Sequence, residues 1–196
     1  ETMPQDFTTQ TKQLIDSLKG VCANYGLGND GNEFKIITQT FLYKFMNDKF
    51  GYEVKRANPK LAQANNWEAE VGGFSSSEYE MLLLRLSPES AKLKREHFLS
   101  YLFNRQSDGQ FAKLFDDTLR DIAIFNNDIF SVKTDSGAKI ILFDELSNYI
   151  ADSSKRDAFC RALINPLVNF SFEGVFEQKF DFFATIFEYL IKDYNK

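Results

Sequence analysis

Little in this chain invites covalent or metal chemistry. Of its 196 residues two are cysteine, Cys22 and Cys160, and one is histidine, His97. Two cysteines in a chain of this size do not make a disulfide framework. Each sits in an apolar helical pattern, which predicts buried free thiols and a cytoplasmic protein. One histidine and two distant cysteines offer no spaced set of zinc ligands. A nucleophile–histidine site would have to use His97, which lies in a Lys/Arg-rich stretch with no partner in view. The expectation is a helix residue without catalytic duty. Long apolar runs are also missing: nothing approaches the roughly 18–20 residues that a membrane helix needs. The opening residues Glu1-Thr2-Met3-Pro4-Gln5-Asp6 are polar and acidic, unlike a signal peptide. Positive charge is short too, with 23 Lys and Arg against 28 Asp and Glu and a net charge of −5. A DNA-binding module ordinarily carries a basic balance, so any DNA contact here must come from local patches or from a larger assembly.

What is present is apolar and aromatic. Hydrophobic residues make up 43% of the chain, and 21 residues are phenylalanine, enough to fill a sizeable core. Helical periodicity dominates. It predicts helices over about 7–25, 33–50, 59–66, 76–86, 92–104, 110–124, 145–151, 155–164 and 180–195. Gly51 stands as the stop of the second. Pro59 sits at an early helical position, one of Ser75, Ser76 and Ser77 caps the fourth helix, and Asn165-Pro166 ends the eighth. Two β-prone runs, 129–133 and 139–143, flank Thr134-Asp135-Ser136-Gly137 and read as a small hairpin near residues 129–143. The expected fold is mainly α, one multi-helix domain over residues 1–196 with that single hairpin.

Several short strings resemble functional motifs and fail their structural requirements. Gly26-Leu27-Gly28-Asn29-Asp30-Gly31 spells G-x-G-x-x-G, but a helix pattern precedes it where a strand is needed, and Asp30 sets negative charge where phosphate would lie. A helix-to-helix connector is the expectation. Glu53-Val54-Lys55 and Glu177-Gln178-Lys179 spell E-x-K, without the sheet and extra carboxylate of a Mg²⁺ nuclease site. Basic residues cluster at Lys92, Lys94 and Arg95, with Arg105 further along, at Lys155, Arg156 and Arg161, and at Lys55, Arg56 and Lys60. Such groups can neutralise phosphates without reading bases, and Lys92, Lys94 and Arg95 are the preferred phosphate-contact candidates. No catalytic residue, metal ligand or cofactor-binding residue is assigned.

The two ends of the chain carry a family resemblance. Near the C-terminus, Phe182, Phe183, Ile186, Phe187, Leu190 and Ile191 form one apolar helical stripe. Within it Phe187-Glu188-Tyr189-Leu190-Ile191 resembles the YEYLI helix that precedes the catalytic domain in the methylation subunit of type I restriction-modification systems. Leu18-Lys19-Gly20 and Gly31-Asn32-Glu33-Phe34-Lys35 resemble that family's opening segments. Phe41-Leu42-Tyr43-Lys44-Phe45-Met46-Asn47-Asp48-Lys49-Phe50 resembles its LLFLKFLSDKF helix. The middle of the chain, from about 53 to 150, carries no such match. The resemblance implies an N-terminal helical domain that clamps duplex DNA and packs against the specificity and restriction subunits. The parent protein would methylate adenine N6 from S-adenosylmethionine. The family's cofactor loop and N-P-P-F/Y string are absent, and Asn165-Pro166-Leu167 lacks the second proline and the aromatic. This chain is therefore expected to bind no cofactor by itself. The final helix has no stop signal, so a catalytic domain is expected after residue 196, with Leu190 and Ile191 as its contact. A free-standing helical protein–protein adaptor is the alternative that composition alone allows.

Overall fold

The second helix sets Phe34, Ile37, Phe41, Leu42, Phe45 and Met46 at helical spacing, a broad apolar face that must lie against a core. In the computed structural model, which describes residues 5–131 and 143–176, it is the longest element: α2, Gly31–Ala57. Ile36, Ile37, Phe41, Tyr43, Phe50 and Val54 along it are almost wholly buried. Around it the architecture is helical: α1 (Gln5–Asn24), α3 (Pro59–Gln63), α4 (Trp67–Gly72), α5 (Ser76–Leu84), α6 (Leu99–Phe103), α7 (Phe111–Phe125), α8 (Asn127–Ser131) and α9 (Arg156–Ile164). Short 3-10 turns lie at Arg95–His97, Leu146–Tyr149, Ser153–Lys155, Asn165–Asn169 and Glu173–Val175. α1 packs on α2 and α9, and α9 packs on α7. One continuous core runs from Phe7 to Phe176. Cys22 and Cys160 are buried free thiols within it. Burial, with Glu33 nearby, pushes the Cys22 thiol up to about 12, so it stays protonated and inert. No helix of the described residues is long and apolar enough to cross a membrane.

Local chemistry explains most helix ends. After α1, Gly26 takes φ +79°, and Leu27 N–H donates back to the Cys22 carbonyl at 2.8 Å. That is a Schellman stop, with Leu27 buried beneath it. Asp30 then caps α2, its carboxylate accepting the Asn32 N–H at 2.8 Å. The G-x-G-x-x-G string is thus a helix stop followed by a helix cap. Asn58 caps α3 ahead of Pro59, and Asn66 caps α4 by accepting the N–H groups of Glu68 and Ala69. Ser75 and Glu78 form a reciprocal capping box on α5, at 3.1 and 3.0 Å.

Four expectations are corrected. Gly51 does not stop α2, which runs on to Ala57. A Cβ at position 51 would lie 2.8 Å from Trp67 Cζ2, so the glycine admits the indole of α4 against the helix. The stretch 92–104 is not one helix: residues 92–94 carry no regular structure, Arg95–His97 is a 3-10 turn, and only Leu99–Phe103 is α-helical. Side chains from elsewhere take its backbone groups, as described below. The helix expected over 145–151 is only a 3-10 turn, Leu146–Tyr149. Finally, the hairpin is not found. Ile129–Ser131 belong to α8, the backbone turning helically after α7 with Ile129 N–H donating to the Asn126 carbonyl, and the described residues contain no strand. β-Propensity in a short run yields to its tertiary setting. Residues 132–142 lie outside the described residues, as does the helix expected at 180–195 with Leu190 and Ile191.

The Gly51 contact gives a direct test. Gly51→Ala gains helix propensity of up to about 1 kcal/mol. It also drives a methyl group into a ring that Phe50 and Phe98 already hold at 6.1 and 5.2 Å. Overpacking of this kind costs about 1–3 kcal/mol. The expected result is a lower urea midpoint together with altered Trp67 emission.

Candidate functional site

The three basic residues singled out from sequence are each engaged by the protein's own fold. Arg95 donates to the carbonyls of Val71 at 3.2 Å and Phe74 at 2.6 Å, closing the end of α4, and its guanidinium lies 5.0 Å from the Tyr79 ring centre. Lys94 pairs with Asp121 at 3.0 Å and lies 5.2 Å from the Phe125 ring centre. Lys92 is held most loosely, by the carbonyls of Ser87 and Ser90 at 3.4 Å each. The other two groups are divided as well. Lys55 pairs with Glu173 at 2.9 Å, Arg56 lies over the Tyr52 ring, and Arg161 donates to the Gln106 carbonyl.

His97, expected to be a bland helix residue, is instead a buried junction, 1% exposed. Its Nδ1 accepts the Lys94 backbone N–H at 2.9 Å, which leaves the ring proton on Nε2 to donate to Asp121 Oδ2 at 2.6 Å. Its own carbonyl accepts from the Tyr43 hydroxyl at 2.7 Å. Burial holds the imidazole below its ordinary value of 6.5, outweighing the opposing pull of the Asp121 carboxylate and Glu96; Lys94 adds to the lowering. In the unfolded chain His97 takes a proton near 6.5, while the folded protein resists it. Its contribution to stability is therefore intact above pH 6.5 and falls as pH drops below that value. Asp116, raised by burial against the hydrogen bonds it accepts from Ser147, acts oppositely and strengthens the fold on acidification. The melting temperature is expected to drop between pH 7 and 5. His97→Gln, compared over the same range, should flatten that slope.

The E-x-K and N-P strings do not assemble into a site. Val54 is buried on α2 between Glu53, which pairs with Lys49 at 3.2 Å, and Lys55. Glu177-Gln178-Lys179 lies outside the described residues. Asn165–Asn169 is a 3-10 turn. Among the described residues no group of three or more His, Cys, Asp and Glu side chains is placed to hold a metal ion.

A cavity of about 440 Å³ opens where α2, α4, α6 and the segment from Val168 to Glu173 meet. Its floor is polar. Lys44, 5% exposed, pairs with Asp48 at 2.9 Å. The same carboxylate accepts the Phe172 N–H at 2.9 Å and the Asn47 amide at 3.2 Å. Asn47, also buried, accepts the Leu99 N–H at 2.9 Å and so starts α6. Lys55 and Glu173 pair at one side of the cavity. Glu68 accepts from the Ser100 hydroxyl and has no cationic partner among the described residues. Trp67 forms part of the wall, and Phe103 and Val168, 38% and 40% exposed, lie on the lining with it. Sequence reading passed over this site because its residues span positions 44 to 173. One signal was available: Lys44, Asn47 and Asp48 stand at i, i+3 and i+4, and so share one helix face, within the densely apolar stretch from Phe41 to Phe50.

Comparison with protein-family models, with curated proteins and with solved structures finds no match for this chain.

Proposed function

We propose that this chain is the N-terminal domain of the methylation subunit of a type I restriction-modification system, a helical module that clamps duplex DNA and contacts the specificity and restriction subunits. The observation that carries the reading is the placement of the resembling segments. Leu18-Lys19-Gly20 lies on α1, Gly31–Lys35 opens α2, and Phe41–Phe50 forms the buried middle of α2, so the family-like stretches make up the packed α1–α2 heart of a mainly helical fold. On this reading the domain is non-catalytic. Adenine N6 methylation, S-adenosylmethionine binding and base flipping belong to a following domain in the same cytoplasmic protein, with Leu190 and Ile191 of the sequence-expected helix over 180–195 as its contact. The test is the reading frame beyond codon 196. A methyltransferase domain bearing N-P-P-F/Y supports the proposal, and a stop codon there overturns it in favour of an adaptor.

DNA binding by the isolated domain is expected to be weak, without sequence preference, and steeply lost with salt, as phosphate contacts release counterions. Lys92, Lys94 and Arg95 remain the proposed contacts. Because Arg95 ties the end of α4 to the turn before α6, Lys92→Ala/Lys94→Ala is the cleaner variant. It should weaken duplex binding in a fluorescence-anisotropy titration at low salt and leave the fold intact. Tight, sequence-selective binding at physiological salt would contradict this picture.

A further inference from the structure

We propose that the cavity between α2, α4 and α6 receives an arginine side chain from a partner protein. This inference does not depend on the methyltransferase reading. It rests on the charges, the rings and the spare donors that line one space.

The lining carries three carboxylates, Asp48, Glu68 and Glu173, against two ammonium groups, Lys44 and Lys55. Lys44 neutralises Asp48 and Lys55 neutralises Glu173. Glu68 is left as the uncompensated negative charge, hydrogen-bonded only to the neutral Ser100 hydroxyl among the described residues. A cation therefore completes the site. A guanidinium suits it better than an ammonium, because its planar fork donates two parallel hydrogen bonds to one carboxylate. It also lies well against an indole, the most favourable ring for a cation, and Trp67 stands beside Glu68 in the same wall.

Lys44 points to the rest of the partner. An ammonium has three N–H donors, and the described residues supply one acceptor to it, Asp48. A buried group with unused donors calls for acceptors, and the backbone carbonyls of an inserted peptide supply them. The volume falls in the roughly 300–1,000 Å³ range of ligand pockets, enough for one long side chain and the backbone that carries it. Phe103 and Val168 present apolar surface next to this polar floor, the pattern of an anchor pocket in a protein interface. Nucleic acid is disfavoured: both lysines in the lining are already paired, and a phosphate would meet three carboxylates.

Trp67 is the sole tryptophan of the chain, so its emission reports on the cavity directly. The experiment titrates the 196-residue protein with acetyl-Gly-Arg-Gly-amide, and separately with the citrulline peptide, which keeps the shape and lacks the charge. The expected result is a saturable change with the arginine peptide and at least about tenfold weaker binding of the citrulline peptide. Glu68→Gln, checked for an unchanged melt, should weaken the arginine peptide by about tenfold, the range of a lost charge-assisted hydrogen bond. Phe103→Ala, on the exposed side of the lining, should weaken it severalfold, so that the proposal stays testable even if Glu68→Gln does not fold. No saturable response overturns the proposal. So does equal response to both peptides, undiminished binding by the variants, or saturation by a short single-stranded oligonucleotide without any by arginine.

Discussion

Replacing Phe172 by alanine is expected to lower the free energy of unfolding by about 3–5 kcal/mol, a large share of a domain's stability. Phe172 is fully buried near the end of the described chain. Its ring centre lies 5.7 Å from that of Phe7 on α1, 5.4 Å from Phe45 on α2 and 4.9 Å from Phe170. All three pairs are edge-on or tilted, the geometry that adds to simple burial. Its backbone N–H also donates to Asp48. Alanine leaves a void among side chains from three separate parts of the chain, and helices on either side cannot all close on it. Phe172→Leu keeps most of the volume and should lose far less. Urea denaturation of both variants measures the difference. A loss below about 1 kcal/mol for the alanine variant would place Phe172 among tolerant surface-like positions, against its burial.

Asn126→Ala is expected to cost about 2–4 kcal/mol, the sum of more than one buried polar group left without a partner. Asn126 lies just after α7 and is 2% exposed. Its side-chain carbonyl accepts the Lys92 N–H at 2.7 Å, and its amide donates to the Lys92 carbonyl and the Ile122 carbonyl, each at 2.8 Å. One side chain thus pairs with the Lys92 backbone as a neighbouring strand would. Asn126→Asp retains the acceptor, loses both donors and buries a charge, so it should be no better than alanine near neutral pH. The loss should appear in denaturant midpoints, and amide exchange at Lys92 should speed up with it. Unchanged exchange at Lys92 in Asn126→Ala would show that the bridge carries no weight.

That bridge also explains why the 92–104 stretch misleads as a sequence. Leu93, Phe98, Leu99 and Leu102 are all buried, and their spacing suits a helix. Yet Asn126 occupies the Lys92 backbone, and His97 Nδ1 occupies the Lys94 N–H. A helix through 92–98 would have to break both. Neither partnership is visible in a local window, since one spans 34 residues and the other needs a buried, fixed tautomer. The hairpin reading misleads in the same way: Ile129 follows α7 closely enough for the helical turn to resume. Gly51 reads locally as a stop because glycine commonly follows helices, whereas its role comes from Trp67 packing across it.

The sequence by itself determined the elements whose causes are local. The apolar periodicity of α1, α2, α7 and α9, Pro59 at the head of α3 and the Ser75–Glu78 box on α5 all act within a turn or two of backbone, where side chains and their targets are neighbours in the chain. It also determined that the thiols at Cys22 and Cys160 would be buried, because they stand in apolar stripes. Tertiary structure alone decided where the cationic side chains of Lys94, Arg95 and Lys55 spend their hydrogen bonds, how His97 is held, and that Lys44, Glu68, Trp67 and Phe103 share one cavity. Those outcomes depend on helices meeting at distances of tens of residues along the chain. Burial then makes each polar group find whichever partner the packing brings within about 3 Å, and no periodicity in the sequence encodes which partner that is.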